Sequence, residues 1–113
     1  MAKSVGIYIK TPKEESKIIY VHNGGYVDYT LPLLKEHFMD IEKIRKLIAL
    51  GDISRLRPRL APEDYYEKHS FANPQDDITL AYHRDRQDPL QWKGKYQTNR
   101  FFFNGIDWLM EFI

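Results

Sequence analysis

The sequence predicts an α+β domain: a largely antiparallel sheet of about five strands with two helices packed on one face. Three observations lead there. Short runs with apolar residues at every second position recur near both ends of the chain and at 78–83. The stretch 40–51 carries a helix's cap, apolar stripe and stop in register. The 113 residues suffice for one core and not for two, so residues 1–113 are expected to form a single domain.

"SVGIYIK" places Val5, Ile7 and Ile9 on one face of a short strand. "TPKEES" is a polar turn, with Pro12 where a strand must stop. "KIIYVH" is a second strand, Ile18 and Tyr20 on one side and Ile19 and Val21 on the other. Strands this close in sequence are expected to pair as an antiparallel hairpin. Then "NGGYVDY" interrupts the alternation. Two glycines after Asn23 permit positive φ and a close backbone approach to a neighbour or a ligand.

"TLPLLKEHF" predicts the first helix, with Thr30 as N-cap, Pro32 in the first turn, and Leu31, Leu34 and Phe38 on one side. "DIEKIRKLIALG" predicts the second. Asp40 caps it, Glu42 suits its positive end and Gly51 suits the C′ position. Ile41, Ile44, Leu47 and Ile48 form the stripe that should lie on the sheet.

The following stretch, 52–77, holds Pro58, Pro62 and Pro74 and is expected to be irregular, anchored by Ile53, Leu56 and Leu60. "ITLAYH" is a strand that runs into His83, Arg84, Asp85 and Arg86. A second irregular stretch spans 87–99. The chain closes on "RFFFNGIDWLMEFI", where Asn104-Gly105 predicts a two-residue type I′ turn. Phe101 and Phe103 share one face of the first strand of this hairpin. Ile106, Trp108, Met110 and Phe112 share one face of the second.

Composition narrows the function classes. The formal net charge is +1, which argues against an acidic DNA mimic and against a strongly basic non-specific nucleic-acid binder. There is no cysteine, so neither disulfides nor thiolate zinc sites arise. The first residues lack the apolar run of a signal peptide, and no segment matches a membrane helix. The expectation is a soluble cytoplasmic protein without a cofactor.

Histidines are the first candidates for chemistry. His37, beside Phe38 on the first helix, reads as a boundary residue. His22 opens the Gly-rich loop, His83 opens the charged loop and His69 sits in "KHSF". No metal-ligand spacing links them, so no metal is expected. His83–Arg86 supply guanidinium forks suited to phosphate or carboxylate; the competing account is a charged strand end that blunts edge pairing. "HNGGY" lacks Walker and dinucleotide spacing and reads as a turn. "QWKGKYQTNR", with Trp92, Lys93, Lys95, Tyr96 and Arg100, interleaves rings and cations as nucleic-acid binders do; a surface loop is the competing account. No nucleophile elbow occurs, and no catalytic residue emerges.

Three stretches taken together, "IYVHNGGYVDYTLPLLKEHF", "IEKIRKLIALGDISRL" and "HSFANPQDDITLAYHRDR", followed by the Asn-Gly hairpin, resemble a family of small uncharacterised phage and prophage proteins. That family carries a His-Trp-Asp-Gly-Tyr-Pro motif, a His-Ser-Phe loop and Ala-Tyr-His-Arg-Asp-Arg. The resemblance covers most of residues 18–113. It implies His22, Gly25, Tyr26, His69, Ser70, His83, Arg84, Asp85 and Arg86 as motif positions, and binding residues among them. The family's Trp-Asp is Asn23-Gly24 here and its Pro is Val27. If the resemblance holds, the place of action is the host cytoplasm.

Three functions follow as expectations. The first is a non-catalytic accessory protein that binds a host protein, a counter-defence inhibitor of the anti-CRISPR type being one form. The second is a nucleotide- or phosphate-binding protein, or small enzyme, in which His22, His69 and His83 converge with Arg84 and Arg86. The third is a phage assembly protein that self-associates through the hairpin edge.

Overall fold

The structure, a computed structural model, describes residues 4–22, 24–60, 78–82 and 93–112. In chain order these form β1 (Val5–Ile9), β2 (Ile19–Val21), α1 (Val27–His37), α2 (Ile41–Ala49), β3 (Ile53–Arg55) and β4 (Leu80–Ala81). A 3-10 turn (Lys93–Tyr96), β5 (Asn99–Phe103) and β6 (Trp108–Phe112) complete the order. The strands make one six-stranded sheet in the order β4-β3-β2-β1-β5-β6.

The α+β class and the two helices on one face agree with the sequence. The sheet is larger and more mixed than expected. β1 pairs antiparallel with β2 through Val5↔Val21 and Ile7↔Ile19, as a hairpin should. β3–β4 and β5–β6 are also antiparallel. However, β1 pairs parallel with β5 over Gly6↔Arg100 to Ile9↔Phe103, and β2 pairs parallel with β3 at Val21↔Ile53. Topology is the cause. After the opening hairpin both outer edges still need a partner, and the paired helices return the chain to β2's edge running in β2's own direction. A strand–helix–strand crossover of this kind gives a parallel pair.

Alternation then builds the core. Val5, Ile7, Ile9, Ile19, Val21, Ile53, Ala81, Phe101, Phe103 and Trp108 meet Leu34, Phe38, Ile44 and Leu47 from the helices in one buried cluster. Each large side chain removed from water in this way stabilises the fold by about 1.5–3 kcal/mol. Trp108 adds a directional tie: its indole N–H donates to the Phe38 carbonyl (2.7 Å) in the interior.

α2 forms as its sequence dictates. Asp40 accepts from the Glu42 N–H, Ile44, Leu47 and Ile48 are buried, and Gly51 follows with φ 79°. α1 departs from expectation. It begins at Val27 with Tyr26 as N-cap, so Thr30 is buried within the helix and Pro32 lies inside it as well. The final turn departs too. Phe103 pairs with Trp108, leaving a four-residue connection whose ends are joined by Asn104 N–H to Asp107 O (3.1 Å). Asn104 Oδ1 accepts from Ile106 N–H and Asp107 N–H, both at 2.8 Å, which fixes the longer loop. Gly105 takes positive φ there.

The other sheet face is partly covered as well. The 3-10 turn crosses β1 and β2, and it can do so because Gly94 has no side chain: a Cβ there would stand 2.5 Å from the Ile18 and Ile19 carbonyl oxygens. Further along, Tyr8 stacks on Phe102 with centroids 5.8 Å apart. Its hydroxyl donates to Glu111 Oε1 (2.7 Å). Burial, then that carboxylate, pushes the Tyr8 hydroxyl up to about 12. Of the expected irregular stretch 52–77, its start is β3, with Ile53 and Leu56 buried and Leu60 packed on the core. Its remainder from 61 lies outside the described residues.

Candidate functional site

β2 and β3 run parallel and end side by side, and the chain leaving β2 enters α1 directly. In open sheets the carboxyl ends of such strands, facing a helix N-terminus, form a natural crevice. Here that crevice is a groove of about 350 Å³ lined by His22, Gly24, Tyr26, Tyr29, Thr30, Ser54, Arg55, Leu56 and Arg57, with Val21 at its base.

His22 follows the last residue of β2, and its N–H still donates to Ile53 O (2.9 Å). Its Nδ1 lies 2.6 Å from the Tyr20 hydroxyl. Burial, then the neighbouring Tyr82 and Asp52, raises the Tyr20 hydroxyl above its ordinary value. The hydroxyl and the imidazole thus form one hydrogen-bonded pair at the end of β2.

Gly24 serves packing. A Cβ at this position would come within 2.7 Å of both Val5 and Val21, so the chain must lie flat on the strands here. It does not take positive φ; the positive-φ glycines are Gly51 and Gly105.

Tyr26 caps α1 without a side-chain hydrogen bond to the helix. Its carbonyl accepts from Tyr29 N–H and Thr30 N–H. Thr30 is 1% exposed, and its hydroxyl has no hydrogen-bond partner among the described residues. An orphaned hydroxyl of this kind costs about 1–3 kcal/mol.

Arg55 and Arg57 stand two residues apart on an extended segment, so both reach one side of it. They supply the charge of the lining; Asp28, in the first turn of α1, is not part of it. Arg57 Nη1 donates to the Tyr29 hydroxyl (2.8 Å) and to Leu56 O (3.2 Å), which holds the guanidinium against the groove wall. No ion pair of Arg55 or Arg57 occurs among the described residues.

Asp52, the residue before β3, supports the site. It is 4% exposed. Its Oδ1 accepts from Tyr20 N–H (3.0 Å), and both its oxygens accept from Lys93 N–H (3.1 and 2.9 Å). One buried carboxylate thus ties β2, the start of β3 and the 3-10 turn together.

A second exposed feature lies across α1. β6 is the terminal strand of the sheet, and it leaves Leu109, Met110 and Phe112 exposed, Phe112 at 69%. Met110 and Phe112 share a small cleft with Val27 at the start of α1. Ile106 in the preceding turn is 81% exposed. The expected face of Ile106, Trp108, Met110 and Phe112 is therefore buried at Trp108 alone.

Of the residues the sequence singles out, the structure places His22 and Tyr26 together in the groove, with Gly25 in the connection between them. His69, Ser70, His83, Arg84, Asp85 and Arg86 lie outside the described residues, as does Trp92. Lys93 and Arg100 are engaged within the fold, Lys93 through its N–H and Arg100 through Gln97 O and Glu111. The groove's arginines, Tyr29, Thr30 and the supporting Asp52 carry no sequence motif. The available signal is Arg-x-Arg at the end of a strand that follows a helical crossover.

Among the described residues no group of three His, Asp or Glu gathers in a metal-binding arrangement, and no helix is long and apolar enough to cross a membrane. No family model, curated protein or solved structure matches the chain.

Proposed function

We propose that this chain is a small non-catalytic binding protein that docks onto a host protein through the apolar edge at β6. The observation that carries this reading is the character of that edge. Natural edge strands are blunted by charge, proline or a bulge, because open backbone groups invite a foreign strand. β6 has one charge, Glu111, and its carboxylate is already engaged by Tyr8 and lies near Arg100 and Lys10. The remaining exposed side chains are Leu109, Met110 and Phe112, flanked by Val27. Strand addition by an extended partner segment uses such a surface, with backbone bonds supplying affinity and alternate side chains specificity. Large apolar and aromatic groups are also the usual energetic centres of interfaces. The likeness to small phage proteins suggests an accessory role in an infected cell, a counter-defence inhibitor being its concrete form.

The test compares the wild-type chain with a Leu109→Lys/Met110→Lys variant, checked by circular dichroism for an intact fold. Capture of a single stoichiometric host protein by the wild type, lost in the variant, supports the reading. Equal capture by both sinks it. A wild type that is dimeric by light scattering and monomeric in the variant would assign the edge to self-assembly instead.

A further inference from the structure

We propose that the groove between the ends of β2 and β3 and the start of α1 binds a phosphomonoester, the phosphate of a nucleotide-sized ligand. Four observations meet there. The charged side chains that line it, Arg55 and Arg57, are both cationic, and neither forms an ion pair among the described residues. α1, eleven residues long, starts at the groove, and its N-cap Tyr26 makes no side-chain hydrogen bond to the helix, so the positive end of the helix dipole lies there. The buried Thr30 hydroxyl, a groove-lining group, has no partner among the described residues. Volume agrees as well: about 350 Å³ falls within the range of small-molecule sites.

The number of donors selects the anion. A carboxylate has two oxygens and is satisfied by one guanidinium fork. Two forks and a hydroxyl exceed that need, whereas a phosphate presents three terminal oxygens to them. Arg57 is already oriented by Tyr29 and Leu56, so less rotamer freedom is lost when it binds. Tyr29 walls the same groove and is nearly half exposed, which gives an attached base an aromatic surface to lie against. The site is distinct from the β6 edge, and the two proposals stand or fall separately.

The experiment titrates the full chain with adenosine 5′-monophosphate, adenosine, inorganic phosphate and a short single-stranded oligonucleotide. Calorimetry and two-dimensional amide spectra provide the readouts. Saturable binding of the monophosphate is expected, with adenosine at least about tenfold weaker, and with shifts at Gly24, Tyr29, Thr30 and Arg55. Arg55→Gln, at an exposed position, should weaken the monophosphate about tenfold and leave the unliganded spectrum nearly unchanged elsewhere. Arg57→Lys keeps the charge but loses the fork, and should weaken it severalfold. No saturation at millimolar monophosphate, equal binding of adenosine, or unchanged affinity in Arg55→Gln would each overturn the proposal. So would binding of the oligonucleotide alone, which would make the groove a nucleic-acid contact.

Discussion

Replacing Asp52 with alanine should remove a large part of the protein's stability. The carboxylate is almost wholly buried, and it is the acceptor for two backbone N–H groups, those of Tyr20 and Lys93. Alanine leaves both donors orphaned where solvent does not reach. Hydrogen bonds to a charged group contribute about 1.5–3 kcal/mol each. The gross loss is therefore about 3–6 kcal/mol. Removing a buried charge returns some desolvation energy, which places the net near the lower end. Against a typical total of about 5–15 kcal/mol, that is a severe loss. Asp52→Asn should cost roughly half as much, because its amide oxygen can replace Oδ1 for both donors while its NH₂ opposes Lys93 N–H in place of Oδ2. Urea unfolding followed by circular dichroism measures the order. With a slope near 2 kcal/mol per molar, the alanine midpoint should fall by roughly 1.5–2 M and the asparagine midpoint by about half that. An alanine variant with an unmoved midpoint, or an asparagine variant worse than alanine, would refute the bridge.

Other outcomes follow from the same physics. Thr30→Val removes the orphaned hydroxyl at nearly constant volume. It should stabilise the fold by about 1 kcal/mol, raising Tm by about 4 °C, and a lowered Tm would show that the hydroxyl has a partner. Gly94→Ala drives a methyl into the β2 backbone and should cost about 2 kcal/mol or more; an unchanged thermal melt contradicts the crossing as described. Tyr8 ionises at about 12 in the folded state against 10.0 ordinarily, so the fold favours the protonated form. That contribution is complete below pH 10 and is lost as pH rises toward 12, by up to about 3 kcal/mol. Tyr8→Phe should flatten this alkaline loss in denaturant unfolding, and a variant that loses stability just as steeply assigns it elsewhere.

The parts of the fold that could be read ahead are those whose signals are local. α2 carries its cap, stripe and stop within twelve consecutive letters, and no distant contact competes with them. β1 and β2 are likewise legible from alternation and a short polar turn. The sequence places the start of α1 too late, because a proline is usually a first-turn residue. Here packing of Leu33, Leu34 and Phe38 holds a helix that begins earlier, and tertiary contacts outweigh local preference. The Asn-Gly pair predicts a tighter turn than the four-residue connection observed. The observed pairing is displaced by two residues, and a two-residue displacement preserves which side chains share a face. Trp108 consequently still faces the core beside Phe103, with ring centroids 5.6 Å apart. β3 has no signature in the sequence, because three residues followed closely by Pro58 make no pattern, and its partners come from distant segments. The site divides along the same line. His22 and Tyr26 border a conspicuous glycine pair, whereas Arg55 and Arg57 become meaningful only once the crossover brings them beside α1.

The parallel contact of β1 with β5 joins segments far apart in the sequence in the interior of the sheet. During synthesis the amino-terminal hairpin and both helices leave the ribosome long before β5 exists. Throughout that interval one side of β1 has nothing to zip against. Pairings between such remote segments slow the search for the native arrangement, commonly to milliseconds or seconds. A nascent chain halted before residue 99 would therefore present an open β1 margin, the kind of intermediate that chaperones retain and that neighbouring copies can trap.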